Sequence, residues 1–403
     1  MNASSQSPLI SINRLISRKK LPTAQELTGV FLSQGLKQSG PLFVKLGQIL
    51  SSRPDLVGEK IADELEILLE EQQALSFKNF KKTLKKSSPE LYRKTEWIDQ
   101  HPLGVGSIGE VRKIKIKGDH KKWILKLRRP GIDRQLKEDI ALVEIFFLNL
   151  SRILPQKHNE SIQRAQNIFK DLENSLLREF DFNFERRSLE FFRKKLKKKK
   201  NVTVPEIISQ YCSSSCLVME ELEGISLREY RKKYQNSEPE RVARIGEVIF
   251  SEILEQIVHD GKFHGDPHGG NFIILENDRI GMIDFGLTGT FNKKDRQQIL
   301  KAVRAFLRKD VSGTINTLLE FGELPESFDA KKFEKEITQC FHSHKNTDSS
   351  LQALVQEFFS IAYSHKILVP SETILLIKSL VGVEGLARQL NPDINIKKLA
   401  LPV

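Results

Sequence analysis

An asparagine and an aspartate are spaced so that their side chains can converge on one hard cation, with a second aspartate on the loop that leads into them. Asp266 and Asn271 lie in Phe263-His264-Gly265-Asp266-Pro267-His268-Gly269-Gly270-Asn271, and Asp284 heads Asp284-Phe285-Gly286 thirteen residues further on. Phe272–Leu275 and Arg279–Ile283 are short apolar runs separated by the turn formers Glu276-Asn277-Asp278, which is a hairpin signal. A hairpin there brings Asn271 at its start close to Asp284 at its end, with Asp266 on the loop that enters it. Oxygen ligands of this kind suit Mg²⁺ held jointly with phosphate oxygens.

Asp-x4-Asn followed by Asp-Phe-Gly is the catalytic-loop and metal-loop pattern of kinase-like phosphotransferases. It makes Asp266 the candidate base for an attacking hydroxyl or water, and Asn271 and Asp284 the candidate Mg²⁺ ligands. His264 is expected to orient the loop by packing and hydrogen bonding. Upstream, Gly104-Val105-Gly106-Ser107-Ile108-Gly109-Glu110-Val111 matches Gly-x-Gly-x-x-Gly-x-Val, where glycine lets a tightly turning backbone bring its N–H groups to phosphates. A strand from Val111 to Ile116 follows, and then Trp123-Ile124-Leu125-Lys126-Leu127, in which a lysine alternates out of an apolar strand. Holding the α- and β-phosphates requires such a lysine. The implied cofactors are ATP and Mg²⁺, with Gly104, Val105, Gly106, Ser107, Gly109, Val111 and Lys126 at the nucleotide.

The elements that must position these groups come from an ordinary folded chain. It has 403 residues, 39% hydrophobic and 29% charged, enough for two or three packed units. A net charge of +12 favours anionic partners such as nucleotides or acidic lipid surfaces. Much of it sits in Arg193–Lys200, read either as a solvated helix end or as an anion-binding patch. No aromatic-interleaved basic platform accompanies it, which argues against nucleic acid. Three cysteines argue for a reducing compartment. Cys340-Phe341-His342-Ser343-His344 lacks the second ligand pair that a metal site needs. No eighteen-residue apolar window exists, so no transmembrane helix and a cytoplasmic location are expected. The first 25 residues hold no acid and four basic residues, and are expected to fray.

Helical periodicity runs from Ala24 to Glu71, broken at Gly40-Pro41. Within it, Lys45-Leu46-Gly47-Gln48, backed by Ser52-Arg53-Pro54-Asp55, resembles the KxGQ signature of the UbiB/ADCK (aarF-domain) atypical kinase-like family. The resemblance is sustained by Arg128-Arg129-Pro130-Gly131-Ile132, by Glu179-Phe180-Asp181 (similar to the family's ExD motif), by Asp266–Asn271, and by Leu390-Asn391-Pro392-Asp393-Ile394-Asn395. It implies an α+β, two-lobe protein-kinase-like fold with an N-terminal helical extension over the active site, and it places Lys45 and Gln48 toward the nucleotide. Glu179 and Asp181, two apart, cannot share a helix face, so the acids must serve different partners. One acid should pair with Lys126, and Glu185 is the best placed. Glu179 and Asp181 then pair with Lys45 or reach the metal. The interleaved Phe180, Phe182 and Phe184 imply a helix partly unwound or buried on several sides. Gly104, Val105 and Gly106 depart from the alanine-rich loop of the family, and a more flexible phosphate grip is expected.

The expected organisation is a flexible N-terminus (1–25), a KxGQ helical extension (26–90), a small lobe with the acid-bearing helix inserted (91–222) and a helical lobe (223–403). Val202–Ile208 and Cys216–Glu220 read as two strands around a polar turn. Ile299, Val303, Phe306 and Leu307 mark an apolar helix face in the last lobe. The chain passes Gly286 into a polar helix with no long activation segment, so the platform for a protein substrate is absent. The resemblance implies an ATP-dependent kinase or ATPase supporting ubiquinone or other prenyl-lipid metabolism, in contact with anionic membrane, prenyl lipids and lipid-biosynthesis enzymes. With the chain stopping eight residues after Asn395, membrane contact is expected to be peripheral. Two other readings are a small-molecule kinase and a nucleotide-binding scaffold without turnover.

Overall fold

Proline and apolar spacing set the first helices: Pro41 and Pro54, whose fixed φ suits a first helical turn, each open a new one. The computed structural model describes residues 24–39, 41–51, 53–66, 73–153, 155 and 159–292, with 296–298, 301, 304–305, 308, 310–321, 324–325, 328–343, 351–367, 369–394 and 399. Most of residues 1–25, Ser52, and the apolar face at Ile299, Val303, Phe306 and Leu307 lie outside them. Two compact units result, Met1–Arg186 with Ile207–Glu221, and Arg187–Glu206 with Leu222–Val403.

In the first unit, helices α1 (Ala24–Ser39), α2 (Pro41–Ser51), α3 (Pro54–Val57) and α4 (Glu59–Glu66) precede α5 (Phe77–Ser87) and α6 (Pro89–Lys94). Leu36, Val44 and Leu65 close a small core with Phe43, Leu50, Val57 and Ile61. Strands β1 (Thr95–Ile98), β2 (Gly104–Val105), β3 (Gly109–Ile116) and β4 (Lys122–Arg128) follow. On β3 every second residue is buried, the period of a strand with one face on a core. That core gathers Phe80, Leu84, Leu91, Ile114, Leu125, Leu127 and Val218.

Helices α7 (Ile132–Ile153) and α8 (Asn159–Phe180) lead to α9 (Phe182–Leu196), which carries the chain into the second unit and on to β5 (Val202–Thr203). The chain then returns to the first unit as β6 (Cys216–Glu220), the outer neighbour of β4 in an antiparallel sheet ordered β1-β3-β4-β6. The runs at 202–208 and 216–220 therefore do not form one strand pair. β5 joins the sheet of the second unit, and one bridge, Ile207 to Met219, is what remains beside β6. Alternation identifies a strand but not its neighbour, and both runs find longer partners elsewhere.

The second unit holds β7 (Gly224–Ser226), α10 (Leu227–Tyr234), α11 (Pro239–Glu255), β8 (Lys262–His264), β9 (Phe272–Leu275), β10 (Ile280–Met282) and β11 (Thr288–Thr290). Its sheet runs β5-β10-β9-β7, and β8 pairs with β11 separately. The β9–β10 turn puts Asn277 and Asp278 at φ of 56° and 57°, a left-handed backbone these residue types tolerate. Helices α12 (Val311–Phe321), α13 (Ala330–Ser343), α14 (Leu351–Ser364) and α15 (Ser371–Leu390) complete it. Cys340 belongs to the core among α13 and α14, beside Phe333 and Phe341, and burial pushes its thiol up to about 12. Among the described residues no helix is long and apolar enough to cross a membrane.

Candidate active site

The first unit carries the expected nucleotide groups. On β4, Lys126 lies opposite Val111 of β3 and Leu217 of β6, so its strand position is fixed on both sides. Its Nζ stands 2.7 Å from Glu185 Oε2 and 3.0 Å from Oε1, and lies 5.5 Å from the centre of the Phe182 ring. Glu185 is buried and Lys126 only half-buried. Glu179 pairs instead with Lys45 of α2, at 2.5 Å. Around this pair α2 packs Leu46 and Ile49 against Ile132, Leu136, Leu176 and Phe180, together with Ile108 from the glycine loop. Gln48 lies on the same helix, half-buried.

Asp181 pairs with neither lysine. It separates α8 from α9, and its Oδ1 accepts the Asn183 N–H at 2.9 Å, the bond of a residue that starts a helix. The alternation of phenylalanine and acid thus marks a helix break, with Phe180 and Phe182 buried on either side of Asp181.

The three glycines of the loop sit in different surroundings. None of Gly104, Gly106 or Gly109 has a left-handed backbone. A Cβ on Gly104 meets nothing within 4 Å, and one on Gly106 meets only the Gly109 carbonyl at 3.5 Å. At Gly109 it would meet the Leu127 carbonyl at 2.8 Å and the Phe182 ring at 3.2 Å, so close strand approach requires glycine there. The loop is also tied down. Gly106 donates to the Gly109 carbonyl at 2.9 Å, and Arg129 reaches across to the Gly106 carbonyl at 3.0 Å and the Gln73 carbonyl at 2.7 Å. Ser107 and Val105 complete the turn, both half-buried.

The second unit carries the acids. His264 ends β8 and is wholly buried; its ring lies 5.2 Å from that of Phe285, centre to centre. Its Nδ1 accepts the Asp266 N–H at 3.1 Å, which requires the neutral ring. Burial pulls the imidazole from 6.5 down to about 4, against the opposing attraction of Asp284 and Asp266. Its main chain is held from two directions. The N–H donates to Gln256 Oε1 at 3.1 Å, and the carbonyl accepts from Ser379 Oγ at 2.7 Å. The next residue, Gly265, lies so close to Leu375 that a Cβ would come within 2.6 Å of it.

Asn271 donates its amide to the Asp266 carbonyl at 2.9 Å, which leaves Oδ1 as the atom that could meet a metal, and its own carbonyl accepts from Ile283 at 3.1 Å. Asp284 Oδ1 accepts the Gly286 N–H at 2.9 Å. Phe285 is fully buried and stacked 4.6 Å from Phe192. Among the described residues no three His, Cys, Asp or Glu side chains gather as a metal cage. An asparagine and an aspartate fit an ion that brings its remaining ligands with it, as Mg²⁺ does on nucleotide phosphates.

Sequence reasoning missed Gln256, Ser379 and Lys378. Lys378 Nζ stands 3.4 Å from Asp266 Oδ1, one residue before the serine that holds His264. They lie on α15 and at the end of α11, far along the chain from the loop they serve, and no local spacing announces them.

These parts define a kinase-like fold, and comparison with known proteins agrees. Residues 66–318 match the ABC1 atypical kinase-like domain and residues 336–395 the UbiB helical domain. The chain belongs to the ABC1 atypical kinase-like family. It is 28% identical over 386 residues to a probable protein kinase UbiB from Cronobacter sakazakii, covering 93% of this chain and 69% of the relative. It is also 28% identical over 375 residues to an uncharacterized protein in a hydrogenase 1 5′ region of Clostridium pasteurianum, covering 92% and 69%. Its fold resembles a Mycobacterium tuberculosis protein solved in complex with erythromycin, with a TM-score of 0.54 at 18% identity, covering 92% and 98%.

Proposed function

We propose that this protein is an ATP-dependent atypical kinase or ATPase of UbiB type, acting in support of ubiquinone or another prenyl-lipid pathway. The observation that carries the reading is the Lys126–Glu185 pair at 2.7 Å on the strand that follows the glycine loop. A lysine held by a buried carboxylate keeps its charge and position, and its side chain, 20% exposed, can still be reached by phosphate oxygens. Asn271 and Asp284 would hold Mg²⁺, which supplies neutralisation of phosphate charge. Asp266 would accept the proton of the attacking hydroxyl or water. Its backbone N–H is bonded to a neutral His264, which fixes the loop without adding a competing cation.

Lys45 is engaged with Glu179 and α2 is packed against Ile108, which supports a role for this helix in limiting the acceptor to water or a small hydroxyl. Contact with anionic membrane and with lipid-biosynthesis enzymes belongs to the same proposal. The test is ATP hydrolysis by the full chain, with and without anionic liposomes and a phenolic quinone-precursor mimic, using Asp284→Asn as control. Mg²⁺-dependent phosphate release that the liposomes or the phenol increase, and that the variant lacks, is expected. Tight Mg-nucleotide binding without release under any condition would overturn the catalytic reading in favour of a scaffold. Phosphate transferred to the phenol would place the protein among small-molecule kinases.

A further inference from the structure

The basic run sits at the solvated end of α9, and part of it also lines a cavity. Arg193 and Lys194 leave the last turn of α9, Lys197 and Lys199 follow on the turn into β5, and Arg279 arrives from the residue before β10. All five line one cavity of about 530 Å³, with Glu190 its one acid and Leu196, Val202 and Val204 among its apolar lining. That volume suits a small ligand. The arms are partly fixed in advance. Arg193 Nη1 donates to the Val204 carbonyl at 3.1 Å, and Arg279 Nε to the Lys200 carbonyl at 3.2 Å.

Compensation is uneven around the cavity. Lys199 is clamped by Glu252 at 2.7 Å and Glu255 at 2.8 Å, and Arg193 approaches Glu206 at 3.7 Å. Among the described residues no carboxylate pairs with Lys194 or Lys197. The ordinary reason for cations here is the negative end of a helix dipole, which acts within the last turn. It accounts for Arg193, Lys194 and Lys195. It does not account for Arg279, which arrives from the residue before β10 and lines the same space.

We propose that this cavity binds a phosphate-bearing anion, with Lys194, Lys197 and Arg279 supplying the charge and the apolar lining receiving the uncharged part of the ligand. The ligand is either a soluble phosphate ester or the headgroup of an anionic lipid. No step of the proposed phosphotransfer uses these residues, so the site stands apart from that reading.

The experiment compares two charge-matched double variants of the full chain: Lys194→Gln with Lys197→Gln inside the cavity, and Lys195→Gln with Lys198→Gln from the same run but outside its lining. The probes are pyrophosphate, glycerol phosphate, and phosphatidylcholine vesicles with or without phosphatidylglycerol. The cavity pair is expected to weaken binding about tenfold, the loss of about 1.4 kcal/mol, while the outer pair changes it less than about twofold. Binding of the soluble phosphates with that pattern assigns a free phosphate ester, and binding of the phosphatidylglycerol vesicles alone assigns a headgroup. Equal losses in both pairs, or no binding of any probe by the unaltered chain, overturn the proposal. Unchanged thermal melting of both variants excludes misfolding as the cause, since all four lysines are solvent-facing or nearly so.

Discussion

The two units hold their functional groups by opposite means. In the first, charge holds charge: Lys126 to Glu185 and Lys45 to Glu179, each pair partly open to solvent. In the second, neutral buried partners hold backbone: Gln256 and Ser379 grip His264, and His264 grips Asp266. A lysine that meets phosphate must be able to exchange one anionic partner for another, and an ion pair in partial contact with water does this at small cost. A loop that must present a base at a constant position is better tied by hydrogen bonds whose loss leaves a buried polar group unsatisfied. The contrast is between an adaptable grip and a fixed one.

Substitutions in the two units should therefore fail differently. The largest effect is expected from Asp266→Asn, which removes the proposed proton acceptor and leaves the tied backbone intact. Steady-state ATP turnover should fall about 10³-fold with no change in melting temperature. A fall in both would mean that the Asp266 side chain also holds the loop.

Acid should attack the fixed grip first. His264 titrates at about 4 when folded against 6.5 in an ordinary environment, so the unfolded chain takes up a proton more readily. Its contribution to stability is complete above pH 6.5 and is lost as pH falls from 6.5 toward 4. The full loss is on the order of 3 kcal/mol. Denaturant melts across that range should show the decline, and His264→Asn should flatten it. An equally steep decline in the variant would assign the acid sensitivity to other groups.

Next in size, Ser379→Ala and Gln256→Leu each strip a partner from the buried His264 backbone and should cost about 1–3 kcal/mol of stability. Turnover per folded molecule should fall as well, and a loss of stability alone would make the grip purely structural. Glu185→Gln keeps the shape but removes the buried charge that holds Lys126, so it should weaken ATP binding about tenfold and cost about 1–3 kcal/mol of stability. Calorimetric titration together with melting separates the two. The smallest effect is expected at Lys378→Met, where a half-exposed ammonium 3.4 Å from Asp266 is lost. The turnover number should fall several-fold, with the Michaelis constant for ATP unchanged and an altered pH profile.

The same division explains what could be read from the chain alone. Asp266, Asn271 and Asp284 stand at spacings set by one loop and one hairpin, so local rules suffice to find them. Glu185 could be picked as the partner of Lys126 by its position beyond Glu179, although what separates the two is the helix break at Asp181 and not one continuous helical period. Asp181 was legible as part of a motif but not as a helix start, since the break depends on Phe180 and Phe182 both being buried. Gln256, Ser379 and Lys378 were invisible because their positions follow from α11 and α15 packing around the loop, and packing partners are not encoded in local periodicity. Gly109 was legible as a loop glycine, but the reason for it, a carbonyl on the neighbouring strand, required the sheet register.

After Gly286 the chain returns at once to pair Thr288 with His264, and Phe285 is stacked on Phe192. In many kinases the phenylalanine of this motif switches between an inward and an outward position, and its packing sets the active or inactive form. Here the outward position would require breaking an aromatic stack and a strand pair together. Inhibitors that depend on the vacated phenylalanine pocket should therefore find no foothold.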